Sequence, residues 1–284
     1  MKWVCSSLHV VPKSSLTIVL WHTSGASAWK NRSHSLRINS RSISLYSLSE
    51  YMNEMKQTER TSLDPSSLET IETSRNFGRN FYLLGMSNVD KNSPVCVTGA
   101  SGFIATHVVE QLLERGYKVN GTVRDLKDME SKYKYLFDLP NSENLTLFKA
   151  NLNEDESYDE AVEGCDVVIH TASPYVLTVQ DPKKDLVDPA VKGTKNVLNS
   201  CKKHSVKQVV LTSSVAAITD SPINDKVYTE EDWNTESNLG RNPYYYSKTL
   251  AEKAAWKFVE DLPEEEKMKL VVINPFCVIG PAHN

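Results

Sequence analysis

Tyr244 and Lys248 stand four residues apart in the run N-P-Y-Y-Y-S-K-T-L-A-E-K-A-A-W. On a helix that spacing brings both side chains to one face, and Pro243 suits the first helical turn. A free phenol has a pKa of about 10, too high for efficient proton exchange near neutrality. A neighbouring ammonium favours the phenolate and lowers that value, each unit being worth ~1.4 kcal/mol. Of the three consecutive tyrosines 244–246, only Tyr244 has this spacing to Lys248. The chemistry is general acid–base work on an oxygen atom. Ser213 and Ser214 close the apolar run in L-T-S-S-V-A-A-I at 211–218. A hydroxyl beyond the carboxyl end of a parallel strand lies where ligands bind in open sheets, and would orient a carbonyl oxygen.

A second group of residues suits a phosphate ligand. Residues 98–105 read T-G-A-S-G-F-I-A, which gives Gly99-x-x-Gly102-x-x-Ala105 between a strand and a helix. Gly99 permits the tight turn, Gly102 lets backbone approach a pyrophosphate, and Ala105 lets the helix pack closely on the sheet. The phosphates would meet the free N–H groups of the helix N-terminus. Arg124 ends the following strand, where an acidic residue would hold the adenosine ribose of NAD. An arginine there suits a 2′-phosphate through a planar, charge-assisted fork, so the reading is NADP over NAD. Lys127 and Lys132 add positive charge beside it.

These side chains need a scaffold, and the sequence from Pro94 onward supplies one. Val95–Thr98 is a short apolar strand, and Ile104, Val108 and Leu112 then recur at helical spacing until Gly116 closes the helix. Val119, Gly121 and Val123 alternate with polar residues as in a second strand. Further strands are expected at 145–149, 167–170, 208–211 and 270–273, with helices at about 155–164, 186–204 and 244–260. Repeated β-α-β units imply an α/β fold, a doubly wound parallel sheet of Rossmann type with helices on both faces. His170 falls inside a strand and reads as a core or cofactor-floor residue, and Cys277 as a buried small side chain.

Composition narrows the class. The 284 residues are 40% hydrophobic and 24% charged, enough for a globular core. With 32 basic and 36 acidic side chains there is no basic footprint for nucleic acid. No apolar run reaches the ~20 residues of a membrane span. Five cysteines lack metal-ligand spacing, so no metal is expected and the compartment reads as reducing and cytoplasmic. Residues 1–49 differ: they carry no Asp or Glu, six Lys/Arg and thirteen serines. Residues 1–85 carry +4, so the chain total of −4 leaves −8 on residues 86–284. The first 85 residues read as a leader or gene-model extension without regular structure, an organelle-targeting peptide being the other reading. Residues 86–284 form the NADP-binding domain.

As an ensemble, VCVTGASGFIATHVVEQLLERGYKVNGTVRD at 95–125, VIHTASP at 168–174, LTSS at 211–214, YYYSKTLAEKAAW at 244–256 and INPFCVIGP at 273–281 resemble the extended short-chain dehydrogenase/reductase family. The similarity points toward the dihydroflavonol reductase, cinnamoyl-CoA reductase and NADPH-dependent aldehyde reductase group. The resemblance implies a catalytic triad of Ser214, Tyr244 and Lys248 acting on a small-molecule carbonyl. It implies Gly99, Gly102, Phe103 and Ile104 at the pyrophosphate, Arg124 at the 2′-phosphate, and Asn151 and Leu152 by the adenine. Thr171 and Ala172 would run along the middle of the cofactor, Lys248 would reach its ribose, and Pro275 and Val278 would border the nicotinamide. Asn151 replaces the aspartate usual before Leu152. Pro243 and Tyr245 stand in the Trp and Cys slots of the thioester reductases, which counts against cinnamoyl-CoA, and Thr219 counts against a dihydroflavonol. A sugar-nucleotide epimerase, a hydroxysteroid dehydrogenase, or a nucleotide-binding product without turnover are the alternatives. Family members continue into a C-terminal substrate lobe that the 284 residues lack, so weak cofactor binding and little turnover are expected of them.

Overall fold

Short apolar strands, alternating with helices, organise the described part of the chain. The computed structural model describes residues 2–3, 17–19, 90–174, 179–223, 226 and 228–283. Strand β1 (Val95–Thr98) leads into helix α1 (Phe103–Glu114), followed by β2 (Val119–Val123), β3 (Leu145–Lys149) and the short α2 (Asp159–Val162). Then come β4 (Val167–His170), α3 (Asp188–Lys203), β5 (Gln208–Thr212), α4 (Pro243–Glu260), β6 (Lys269–Ile273) and β7 (Cys277–Ile279). The strands pair in the order β3-β2-β1-β4-β5-β6, every pairing parallel. That order reverses between β1 and β4, which is where a doubly wound sheet opens a ligand crevice.

Alternation sends each strand's side chains to two separate cores. Val95, Val97, Val167, Ile169, Val210 and Ile273 pack with Val108, Leu112 and Leu113 of α1. Cys96, Val168, Val209, Leu211, Leu270 and Val272 pack with Val197, Leu198 and Cys201 of α3 and Ala255 of α4. Burying strands on both faces explains why they read as continuous apolar runs. Gly116, at φ +77, ends α1, with the N–H of Tyr117 returning to the carbonyl of Leu112.

The expected elements are present, but the helix expected at 155–164 is confined to Asp159–Val162, and short helices at Met129–Lys132 and Lys134–Phe137 and the strand β7 are not among those expected. Glu156 adopts φ +59, and the hydroxyl of Ser157 bonds to the carbonyl of Asn151, so the chain turns before the helix begins. Lys2–Trp3 adds a parallel strand beyond β6, and Thr17–Val19 pairs antiparallel with β7. Apart from those five residues, the expectation for residues 1–85 lies outside the described residues. Among the described residues no helix is long and apolar enough to cross a membrane.

Candidate active site

The crevice is lined first by the turn after β1. Gly99 sits at φ +67, and a side chain there would come within 3.2 Å of Cα and Cβ of Ala172. Only glycine meets both conditions at little cost. Gly102 is exposed and caps α1 without a side-chain hydrogen bond, and no acidic residue occupies the first turn. The first N–H groups of α1 therefore face outward with their positive dipole end unopposed. Phe103 and Ile104 are half-buried beside them.

Thr98, at the end of β1, ties this turn to β4. Its Oγ1 accepts the backbone N–H groups of Thr171 (3.1 Å) and Ala172 (3.0 Å) and lies 2.8 Å from Nδ1 of His170. With both lone pairs engaged, the hydroxyl hydrogen points at Nδ1, so His170 is neutral and carries its hydrogen on Nε2. Burial, with the charge of Lys248 nearby, pushes the His170 pKa down to about 3. His170 is buried in β4, and Thr98 is the residue that ties Thr171 and Ala172 to the glycine turn.

At the outer end of β2 Arg124 is exposed and makes no hydrogen bond or ion pair to another described residue. Lys132 instead pairs with Asp125 at 3.6 Å. Asn151 has both ends of its side chain engaged in its own loop: Nδ2 donates to Glu154 (2.8 Å) and Oδ1 accepts the N–H of Asn153 (3.1 Å). Leu152 packs on α3, where a Cβ added at Gly193 would lie 2.7 Å from its Cβ and Cδ2.

The residues expected to be catalytic lie on α4 and at the end of β5. Lys248 is buried, and its Nζ reaches the carbonyl of Thr212 at 3.5 Å. Burial pulls its pKa down to about 8, while the nearby carboxylate of Glu252 opposes the shift. Glu252 is itself buried: Oε2 accepts from Nδ2 of Asn274 (2.8 Å) and Oε1 from Nε1 of Trp256 (3.3 Å). The same Asn274 amide donates to the carbonyl of Ser214 at 3.0 Å. Ser214 Oγ accepts the N–H of Ala216 (3.2 Å) and points its hydrogen toward the carbonyl of Pro275 at 3.5 Å. Pro275 thus lies against Ser214, with Val278 half-buried on β7. Tyr244 is half-buried one turn before Lys248. The buried hydroxyls of Thr212 and Ser213 have no hydrogen-bond partner among the described residues. Unpartnered buried hydroxyls beside a cation and a glycine turn fit a polar ligand such as a dinucleotide.

Several supporting residues carry no sequence signature. Asp220 accepts from Nε of Arg241 (2.9 Å), Oγ of Ser237 (2.9 Å) and Nδ2 of Asn242, fixing the loop that launches α4. Cys277, expected to be buried, is half-buried. Cys96, Cys165 and Cys201 are buried and free, and burial pushes the Cys165 thiol up to about 12.

The strand order, the glycine turn and the buried lysine on α4 define a Rossmann domain of the extended short-chain dehydrogenase/reductase type. The chain belongs to the 3-beta hydroxysteroid dehydrogenase/isomerase family, whose profile matches residues 96–284. It is 49% identical over 206 residues to a cinnamoyl-CoA reductase of Medicago truncatula, covering 69% of this chain and 61% of that protein. It is 42% identical over 200 residues to a dihydroflavonol 4-reductase of Arabidopsis thaliana, covering 68% and 51%. Among solved structures, the yeast methylglyoxal/isovaleraldehyde reductase complexed with NADPH shares 35% identity with a TM-score of 0.57, over 64% of this chain and 57% of that one. Vestitone reductase from alfalfa shares 34% with a TM-score of 0.51, over 64% and 56%. The chain spans between half and about three fifths of the length of these curated relatives.

Proposed function

We propose that this chain carries the NADPH-binding and proton-transferring groups of a carbonyl reductase that converts an aldehyde or ketone to an alcohol. The observation that carries the reading is Lys248: a buried ammonium, depressed to about 8, one helical turn beyond Tyr244. Gly99, Gly102, Phe103 and Ile104 would hold the pyrophosphate against α1, and Arg124 the 2′-phosphate. Thr171, Ala172, Pro275 and Val278 would line the nicotinamide half, and Leu152 the adenine side. Asn151 contributes there through backbone rather than its engaged side chain. The chemistry that NADPH supplies when bound is hydride donation. Tyr244 delivers the proton to the carbonyl oxygen, Ser214 orients that oxygen by rotating its hydroxyl from the long contact with Pro275, and Lys248 favours the phenolate between turnovers. The unpartnered hydroxyls of Thr212 and Ser213 support a polar ligand at this place. We read the compartment as cytoplasmic, in keeping with free, buried cysteines.

The experiment is a pair of fluorescence titrations with NADPH and NADH, followed by turnover of a panel of aldehydes and ketones. NADPH should bind more tightly, and Arg124→Ala should remove the preference. Loss of one charge-assisted fork is worth ~1.5–3 kcal/mol, or about 10–100-fold in affinity. Tyr244→Phe should lower turnover about 100-fold or more. Equal affinities for the two nucleotides, or turnover indifferent to Tyr244, would refute the reading. Turnover of a hydroxysteroid or a sugar nucleotide alone would replace the substrate class.

A further inference from the structure

One turn along α1 from Phe103, three nitrogen and oxygen donors converge between α1 and the segment that follows β7. His107 and Glu110 are one helical turn apart on α1, and His283 approaches from 176 residues beyond His107. Nδ1 of His107 lies 3.4 Å from Oε2 of Glu110, Nε2 of His283 lies 3.2 Å from the same oxygen, and the two ring nitrogens are 3.3 Å apart. The donors form a nearly equilateral triangle. A tetrahedral zinc ion with bonds of about 2.0–2.2 Å has ligand–ligand edges of about 3.3–3.6 Å. The triangle has the dimensions of one face of that tetrahedron.

The hydrogens within the cluster point the same way. Nε2 of His107 lies 2.9 Å from the carbonyl oxygen of Pro281, which only accepts, so this nitrogen carries the ring hydrogen. With Nε2 committed to that carbonyl, Nδ1 is the nitrogen that faces the triangle, the ring being held by a backbone carbonyl as metal-ligating histidines commonly are. The Glu110 carboxylate and the facing ring nitrogens of His107 and His283 bring three potential donor atoms to one point, and a cation at the centre would satisfy all three contacts at once. His107 is buried with the ring of Phe103 edge-on at 5.6 Å, while Glu110 and His283 are half-buried and leave the fourth side open to water.

We propose that His107, Glu110 and His283 bind a divalent cation of the zinc class, clasping the segment after β7 onto α1. Two imidazoles and one carboxylate favour zinc, cobalt or nickel over magnesium or calcium, which prefer oxygen ligands. The sequence expectation of no metal rested on local spacing, and this triangle closes across the whole domain.

The test uses the 284-residue protein, free of any affinity tag and stripped with a chelator. Titration with Co2+ should give one saturable set of visible ligand-field bands, abolished by an equivalent of Zn2+, and Zn2+ should raise the melting temperature. His283→Ala and Glu110→Gln, both at partly exposed positions, should each weaken Co2+ binding by about 10–100-fold or more. Their far-ultraviolet circular dichroism should match that of the parent, which separates ligand loss from misfolding. No saturable Co2+ or Zn2+ binding at 100 μM (about 100 times a micromolar site) would overturn the proposal. Binding that survives both substitutions would overturn it too, because the ion then sits elsewhere. A triangle held by an added proton alone would show as the first of these outcomes.

Discussion

Thr98→Val replaces one buried hydroxyl by a methyl group of nearly the same shape. The hydroxyl bonds to three partners, the N–H groups of Thr171 and Ala172 and Nδ1 of His170. Thr98 is fully buried, so water cannot take its place without opening the junction of β1 and β4. Each buried polar group left without a partner costs about 1–3 kcal/mol. Three of them, partly relieved by small shifts, sum to about 3–5 kcal/mol. In a domain of this size that corresponds to a fall of about 6–20 °C in melting temperature. The assay is urea unfolding followed by fluorescence, with a thermal melt as a second probe. Thr98→Ser keeps the hydroxyl and loses only a methyl, so it should cost about 1 kcal/mol. A valine variant within 1 kcal/mol of the parent, or a serine variant as damaging as valine, would refute the three-way role of this hydroxyl.

Two further substitutions probe the site from other sides. Lys248 has a folded-state pKa of about 8 against an ordinary value near 10.5, so its burial as an ammonium destabilises the fold below pH 8, and that cost fades as pH rises from 8 toward 10.5. Lys248→Met should therefore lack the parent's rise in stability between pH 8 and 10.5, while turnover is lost; melting curves across that range check the sign, and a variant that keeps the parent's rise would contradict it. Gly193→Ala gains about 1 kcal/mol of helix propensity but drives a Cβ to 2.7 Å from Leu152, so the net should be a loss of about 1–2 kcal/mol. Leu152→Ala in the same chain should recover most of the clash, measurable as a coupling in a double-mutant cycle of urea unfolding.

What the sequence made legible was whatever is local. Strands buried on both faces read as short apolar runs, α1 reads from Val108 and Leu112, and the glycine turn and Tyr-x-x-x-Lys are complete within a few residues. The contacts that align the site are not local. Thr98 meets His170 across 72 residues, Asn274 reaches Ser214 across 60, and Asp220 holds Asn242 across 22, and no spacing rule joins such pairs. A threonine at a strand end or an asparagine after one has ordinary composition; only the parallel register makes them neighbours. The shortened helix before Val162 failed for a local reason, since Glu156 takes a left-handed conformation that its residue type does not announce. Asn151 likewise keeps its side chain within its own loop, bonded to Glu154 and Asn153, which its position in the sequence did not show.

The anchoring of the loop before α4 has a consequence for the tyrosines at 244–246. Sliding the helix by one residue would translate it ~1.5 Å and turn it ~100°, presenting a different phenol to the crevice. Nothing in three identical side chains opposes that exchange. Besides the buried face of α4 itself, with Lys248, Ala251, Glu252 and Ala255, the entrance opposes it: Asn242 at φ +50, Pro243 next to it, and the carboxylate of Asp220 gripping Asn242 and Arg241 from the other side. Tyr245, whose hydroxyl is pushed upward in pKa by burial and by Asp220, is thereby kept on the neighbouring face. Asp220 acts as an indexing pin. It selects among chemically equivalent residues by stopping rotation, so a change there would alter which tyrosine is presented before it altered how any tyrosine reacts.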